Sequence, residues 1–127
     1  MVNWKLICKN VDPKDIEEYG RFSEVPAGDH IIKGIVISSK SGNAYNILVS
    51  MNTPKLTSKS EVKLFCNCDD FKFRWAWVLN EHNALLSPQN FVLTPPKIMN
   101  KTHDLGCCKH IKVFLTLKEK QMLSTLK

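Results

Sequence analysis

Polar and apolar positions recur along the chain with two different periods, and each change of period marks an element. Residues 12–22 open with Asp12 ahead of Pro13, a capping side chain followed by proline at the first helical position. Asp15, Glu17 and Glu18 sit where negative charge opposes the helix dipole, and Gly20 is placed to end the turn, so a short helix is expected. From His30 the period shortens. Ile31, Ile32, Ile35, Val36 and Ile37 form a β-branched run that stops at a turn-rich cluster holding Gly42 and Asn43. Tyr45, Ile47 and Val49 then alternate with Asn46, Leu48 and Ser50, which predicts a hairpin. Residues 51–59 contain Pro54 and several hydroxyl side chains and read as a loop. Residues 62–66 read as a third strand, with Val62, Leu64 and Cys66 on one face and Lys63 and Phe65 on the other.

The helical period returns after Asp69 and Asp70, two acids placed to accept from free helix amides. Phe71, Trp75, Val78 and Leu79 recur at that spacing, as do Phe73 and Trp77, so this helix is apolar on most of its circumference. It is expected to lie deep in the domain or beneath a partner. Residues 83–106 show no period, contain Pro88, Pro95 and Pro96, and are expected to form a long ordered loop or insertion. A final helix is expected within the closing segment, residues 107–127, with Ile111, Phe114, Leu115, Met122 and Leu126 near one stripe and Lys112, Lys118 and Lys120 away from it. The fold class that follows is α+β: an antiparallel sheet of about three strands, packed with two to three helices.

Length changes this picture little, since 127 residues and 14.5 kDa make a single domain, residues 1–127. No run of about 18 apolar residues suggests a membrane span, and residues 1–10 lack the apolar core of a signal peptide, so an intracellular protein is expected. Five cysteines, an odd count, argue against a disulfide framework and for metal binding or buried thiols. A net charge of +6 permits a nucleic-acid or acidic-protein partner without requiring one.

Cys66, Cys68, Cys108 and His110 give the cysteines a reason. They form Cys-x-Cys, a spacer of 39 residues, and Cys-x-His. Zinc asks for four nitrogen or sulfur donors in a tetrahedron, and a closed Cys3His set is a common structural site. On an extended segment residues i and i+2 face the same way, so Cys66 and Cys68 can both meet one ion. Cys108 just ahead of a helix and His110 in its first turn can do likewise. A lone core cysteine is most often an inert apolar residue, but two close pairs beside predicted element starts point to metal. Cys107 could replace Cys108, His103 and His82 are spare candidates, and Cys8 has no neighbour in sequence and is expected to be a core thiol.

This order of ligands resembles the SWIM-type zinc finger, in which a β-hairpin supplies the first pair and a helix start the second. On that resemblance residues 62–117 form a zinc-binding unit with a long insertion, 69–107, stapled by Zn2+, and the spacer is longer than the family usually shows. The string from Phe65 to Trp75 also resembles small proteins of tailed bacteriophages that carry a similar Cys-x-Cys-x-Asp-Phe-Lys run. The likeness implies a module binding nucleic acid or a nucleic-acid-handling protein, replication proteins included. Four ligands leave no open position for catalysis, so no enzyme, no small-molecule substrate and no membrane partner are expected. A thiol enzyme using the close pair Cys108 and His110 is the lesser reading. The alternative is a virion structural or assembly protein in which zinc only holds the fold. The expected contact residues are Lys72, Arg74, Trp77, Lys109 and Lys112, with Lys97 and Lys101 as further basic neighbours. Trp75 and Trp77 fall on near-opposite sides of their helix, so one is expected in the core and the other at a contact.

Overall fold

The structure is a computed structural model that describes residues 1–87, 91, 93, 100 and 104–125, with side chains through Gln121. Its elements are β1 (Val2–Asn3), α1 (Trp4–Ile7), α2 (Pro13–Tyr19), β2 (Arg21–Gly28), β3 (Ile31–Ile37), β4 (Ala44–Met51) and β5 (Glu61–Cys66). A π-helical turn (Phe71–Trp75), α3 (Ala76–Glu81) and α4 (Lys109–Thr125) complete the set. The strands make one antiparallel sheet in the order β1-β5-β4-β3-β2. The class is α+β as expected, but the sheet has five strands where about three were anticipated.

The three strands with clear periodicity are all present. In β4, Ile47, Val49 and Met51 are buried, and in β5, Val62, Leu64 and Cys66 are. β3 and β4 pair from Ile31↔Ser50 to Ile37↔Ala44, and the turn cluster between them closes the hairpin. The two unanticipated strands carry no such signal. β2 is the outer strand, exposed at all but one position, so no alternation was needed to build it. Its Pro26 lies where the register shifts between Pro26 and Gly28, a break that blunts a free edge. β1 contributes only Val2 and Asn3, opposite Val62 and Glu61. Farther along the same edge of β5, Leu64 donates to Ala84 O (2.8 Å) and accepts from Leu86 N (2.9 Å).

Helices cover one face of the sheet. From α4, Ile111, Val113, Phe114 and Leu115 are buried. Phe114 lies so close over β3 that a Cβ at Gly34 would stand 2.5 Å from its ring, so a hydrogen is all this position can carry. α2 begins as expected, with the Asp12 carboxylate accepting from Lys14 N at 2.9 Å and Gly20 at the other end. Glu18 reaches from α2 to the β3–β4 turn and accepts from Ser38 Oγ at 2.6 Å. No helix among the described residues is long and apolar enough to cross a membrane.

The aromatic segment departs from expectation in two ways. Its first full turn, Phe71–Trp75, is wound as π-helix before the regular geometry of α3 takes over. Asp70 makes no capping bond; it accepts instead from Trp75 Nε1 (3.1 Å) and pairs with Arg74 (3.2 Å). Phe71, Ala76, Val78 and Leu79 are buried, whereas Phe73 is 49% exposed and Lys72 is exposed, so one side emerges at the surface. Trp75 and Trp77 are both half-buried, not divided between core and solvent. Of the loop read over residues 83–106, Pro88, Pro95 and Pro96 lie outside the described residues, as do the side chains of Met122 and Leu126 on the final stripe.

Candidate metal centre

Cys66 is the last residue of β5, and Cys68 follows two positions later on backbone that leaves the sheet. Asn67 between them fixes that exit: its N–H donates to Asn46 O (3.1 Å) and its Oδ1 accepts from Asn46 N (2.9 Å). Cys108 immediately precedes α4, and His110 stands in its first turn. Residues far apart in sequence therefore converge. One ligand atom from each of Cys66, Cys68, Cys108 and His110 lies within 4.8 Å of all the others. All four are buried, and together they can hold a metal ion, an arrangement compatible with a zinc finger.

The chemistry of the donor set fits a cation. Thiolates bound at about 2.3 Å in a tetrahedron stand roughly 3.8 Å apart, inside the 4.8 Å within which all four donor atoms lie. Hydrogen bonds from Cys108 and then Cys66 hold the Cys68 thiol far below the usual value. Cys66 is raised: its hydrogen bond with Cys108 acts downward but is outweighed by Cys68 and by burial. Burial drives Cys108 well above the usual range, and Cys66 and Cys68 push the same way. Three buried negative charges this close repel one another. A cation among them removes that conflict. Phe71 N donates to the Cys68 sulfur at 3.3 Å, so the start of the aromatic helix also supports a negative sulfur.

The imidazole is held by rings. His110 stacks on Tyr45 with centroids 3.9 Å apart and planes 18° from parallel. Tyr19, from the last turn of α2, meets it edge-on at 4.6 Å. Nδ1 of His110 is 3.9 Å from the Cys66 sulfur. The imidazole thus meets the sulfurs through Nδ1, the ring nitrogen available as a donor to an ion, while Nε2 is buried without a hydrogen-bond partner among the described residues. Tyr19 and Tyr45 were not anticipated as supports of the site. Tyr45 was legible only as an alternating strand residue, and Tyr19 only as part of a short helix.

Two expectations about the remaining cysteines need correction. Cys107 does not stand in for Cys108; its sulfur lies 3.5 Å from that of Cys8. Cys8 is buried as expected but is not solitary, since chain folding supplies the neighbour that sequence did not. His82, a spare ligand candidate, does not join the four donors. It is exposed at the end of α3, because the helix closes there and turns its last residues to solvent. His103, Lys97 and Lys101 lie outside the described residues.

The expected contact residues are scattered in role. Lys72 is exposed and borders a cleft of about 370 Å³ with Phe65, Phe91 and two of the four ligands, Cys66 and Cys68. Arg74 is engaged by Asp70 at 3.2 Å, and Trp77 is half-buried. Lys109 is exposed, with its Nζ 5.2 Å from the Tyr19 ring centroid, and Lys112 is half-buried. The fold and site define a small α+β protein with a candidate Cys3His metal centre. No known family model, curated protein or solved structure matches the chain.

Proposed function

We propose that the protein is a zinc-binding, SWIM-like module without catalytic activity, and that it docks on nucleic acid or on a protein that handles nucleic acid. The zinc reading is carried by the buried set Cys66, Cys68, Cys108 and His110. Three thiolates and an imidazole in a closed tetrahedral cage suit Zn2+ better than the oxygen-seeking cations. Four protein donors complete the shell and leave no position for water or substrate, which favours a structural over a catalytic ion. Support for the SWIM-like part is the order of the ligands: a pair at a strand end, then a pair at a helix start. Support for an anionic partner is the net charge of +6 together with exposed Lys72 beside the site.

The test is zinc content of the purified protein, wild type against a variant carrying Cys66→Ser and His110→Ala. One zinc per chain is expected in the wild type and none in the variant. A folded wild type free of metal would end the proposal. The nucleic-acid part is read separately, from duplex DNA binding that should weaken steeply between about 50 and 200 mM salt. Zinc binding without salt-sensitive DNA binding would leave the virion assembly role, which rests on sequence resemblance alone.

A further inference from the structure

We propose that Cys8 and Cys107 form a second thiol site, separate from the metal ligands, that closes to a disulfide when a peroxide oxidant reaches it. The two sulfurs lie 3.5 Å apart although 99 positions separate the residues in sequence. Both thiols are free. A disulfide bond is about 2.05 Å long, so the sulfurs must approach by roughly 1.5 Å. Both residues lie outside the regular helices and strands. Cys8 is the residue that ends α1, its N–H donating to Trp4 O at 2.9 Å, and Cys107 lies in the connection ahead of α4.

Access to the pair is one-sided: Cys8 is 8% exposed and Cys107 1%. Cys8 is therefore the sulfur that meets the oxidant. One peroxide oxygen adds to the Cys8 sulfur as a sulfenic acid, and the other leaves as water. The Cys107 sulfur then displaces that oxygen as a second water, and the S–S bond forms. Two thiols and one hydrogen peroxide give one disulfide and two waters, with both thiol hydrogens carried off in the water. Neither sulfur belongs to the donor set, so this oxidation proceeds without emptying the metal site. Cys107 is nevertheless bonded to the ligand Cys108, and the new link ties the N-terminal strand and helix to the metal shell.

The experiment takes the full chain as purified with its metal and titrates it with hydrogen peroxide. Free thiols are then alkylated, and the protein is digested without reduction and mapped by mass spectrometry. The expected result is a peptide linking Cys8 to Cys107 that appears before any ligand cysteine is oxidised. Intact mass should fall by two hydrogens, metal should be retained, and a thiol reductant should reverse the change. Free or singly oxidised Cys8 and Cys107 after the ligands have reacted would overturn the proposal. So would a disulfide from either residue to Cys66, Cys68 or Cys108. Cys8→Ser should abolish the linked peptide; the wild-type map decides the matter whether or not that variant folds.

Discussion

His110 depends on its neighbours more than on its own position. A histidine in the first turn of a helix has several rotamers, and only packing selects the one that faces the sulfurs. Tyr45 supplies that packing from the sheet by stacking at 3.9 Å, and Tyr19 supplies it from α2 at 4.6 Å. Replacing Tyr45 with Ala should free the ring to turn away. Metal affinity is expected to fall about tenfold, in the range typical of residues that orient a ligand, while the protein stays folded. Competition with a chromogenic chelator measures it, and unchanged affinity would remove the tyrosine from the site. At this scale the four ligands were legible because each pair is local, Cys-x-Cys and Cys-x-His. The tyrosines and the contact between Cys8 and Cys107 were not legible, because nothing in a one-dimensional pattern brings residue 8 beside residue 107.

Among the elements, α2 shows how a short helix is held. Seven residues are marginal alone. The Asp12 cap starts the helix, and Glu18 pins its far end through Ser38, whose side chain is buried against the β3–β4 turn. The Ser38 hydrogen bond, with lesser help from Tyr19 and Lys40, holds the Glu18 carboxyl below its ordinary value of 4.5. The folded-state value is therefore lower than the unfolded one. The anchoring contribution is present above about pH 4.5 and is lost as pH falls through the lower folded value. Acid titration followed by unfolding should show this loss in the wild type and not in Glu18→Gln, and identical profiles would remove the carboxylate from the account. The helix itself was legible, since its cap and its glycine stop are both local signals. β2 was not, because an outer strand exposed on both sides shows no alternation, and the π-helical turn was not, because its winding answers to where Asp70 and the buried Phe71 must sit.

For the molecule as a whole, the candidate centre joins parts with little else in common. It links the end of β5 to the start of α4 across 39 intervening residues. Structural zinc in small peptides has apparent binding energies of about 10–16 kcal/mol, as large as the entire stability of a typical domain, about 5–15 kcal/mol. Removing metal from the purified protein with a strong chelator is thus expected to lower its thermal midpoint sharply or to unfold it. Restoring zinc should return the original curve. Circular dichroism melts before and after chelation provide the measurement, and a midpoint indifferent to metal would assign the fold to its hydrophobic core alone.

The sequence by itself determined what depends on near neighbours: the period of β3, β4 and β5, the caps of α2, and two ligand pairs whose spacing suits one ion. Only the tertiary structure decided that the two pairs meet. Closing a chain over 39 residues is settled by the packing of α4 on the sheet, not by any local preference. The same packing placed His110 between two tyrosines and sorted the five cysteines into three candidate ligands and one separate pair. Side-chain chemistry is written in the order of residues, whereas the company each side chain keeps follows from burying apolar surface across the whole molecule.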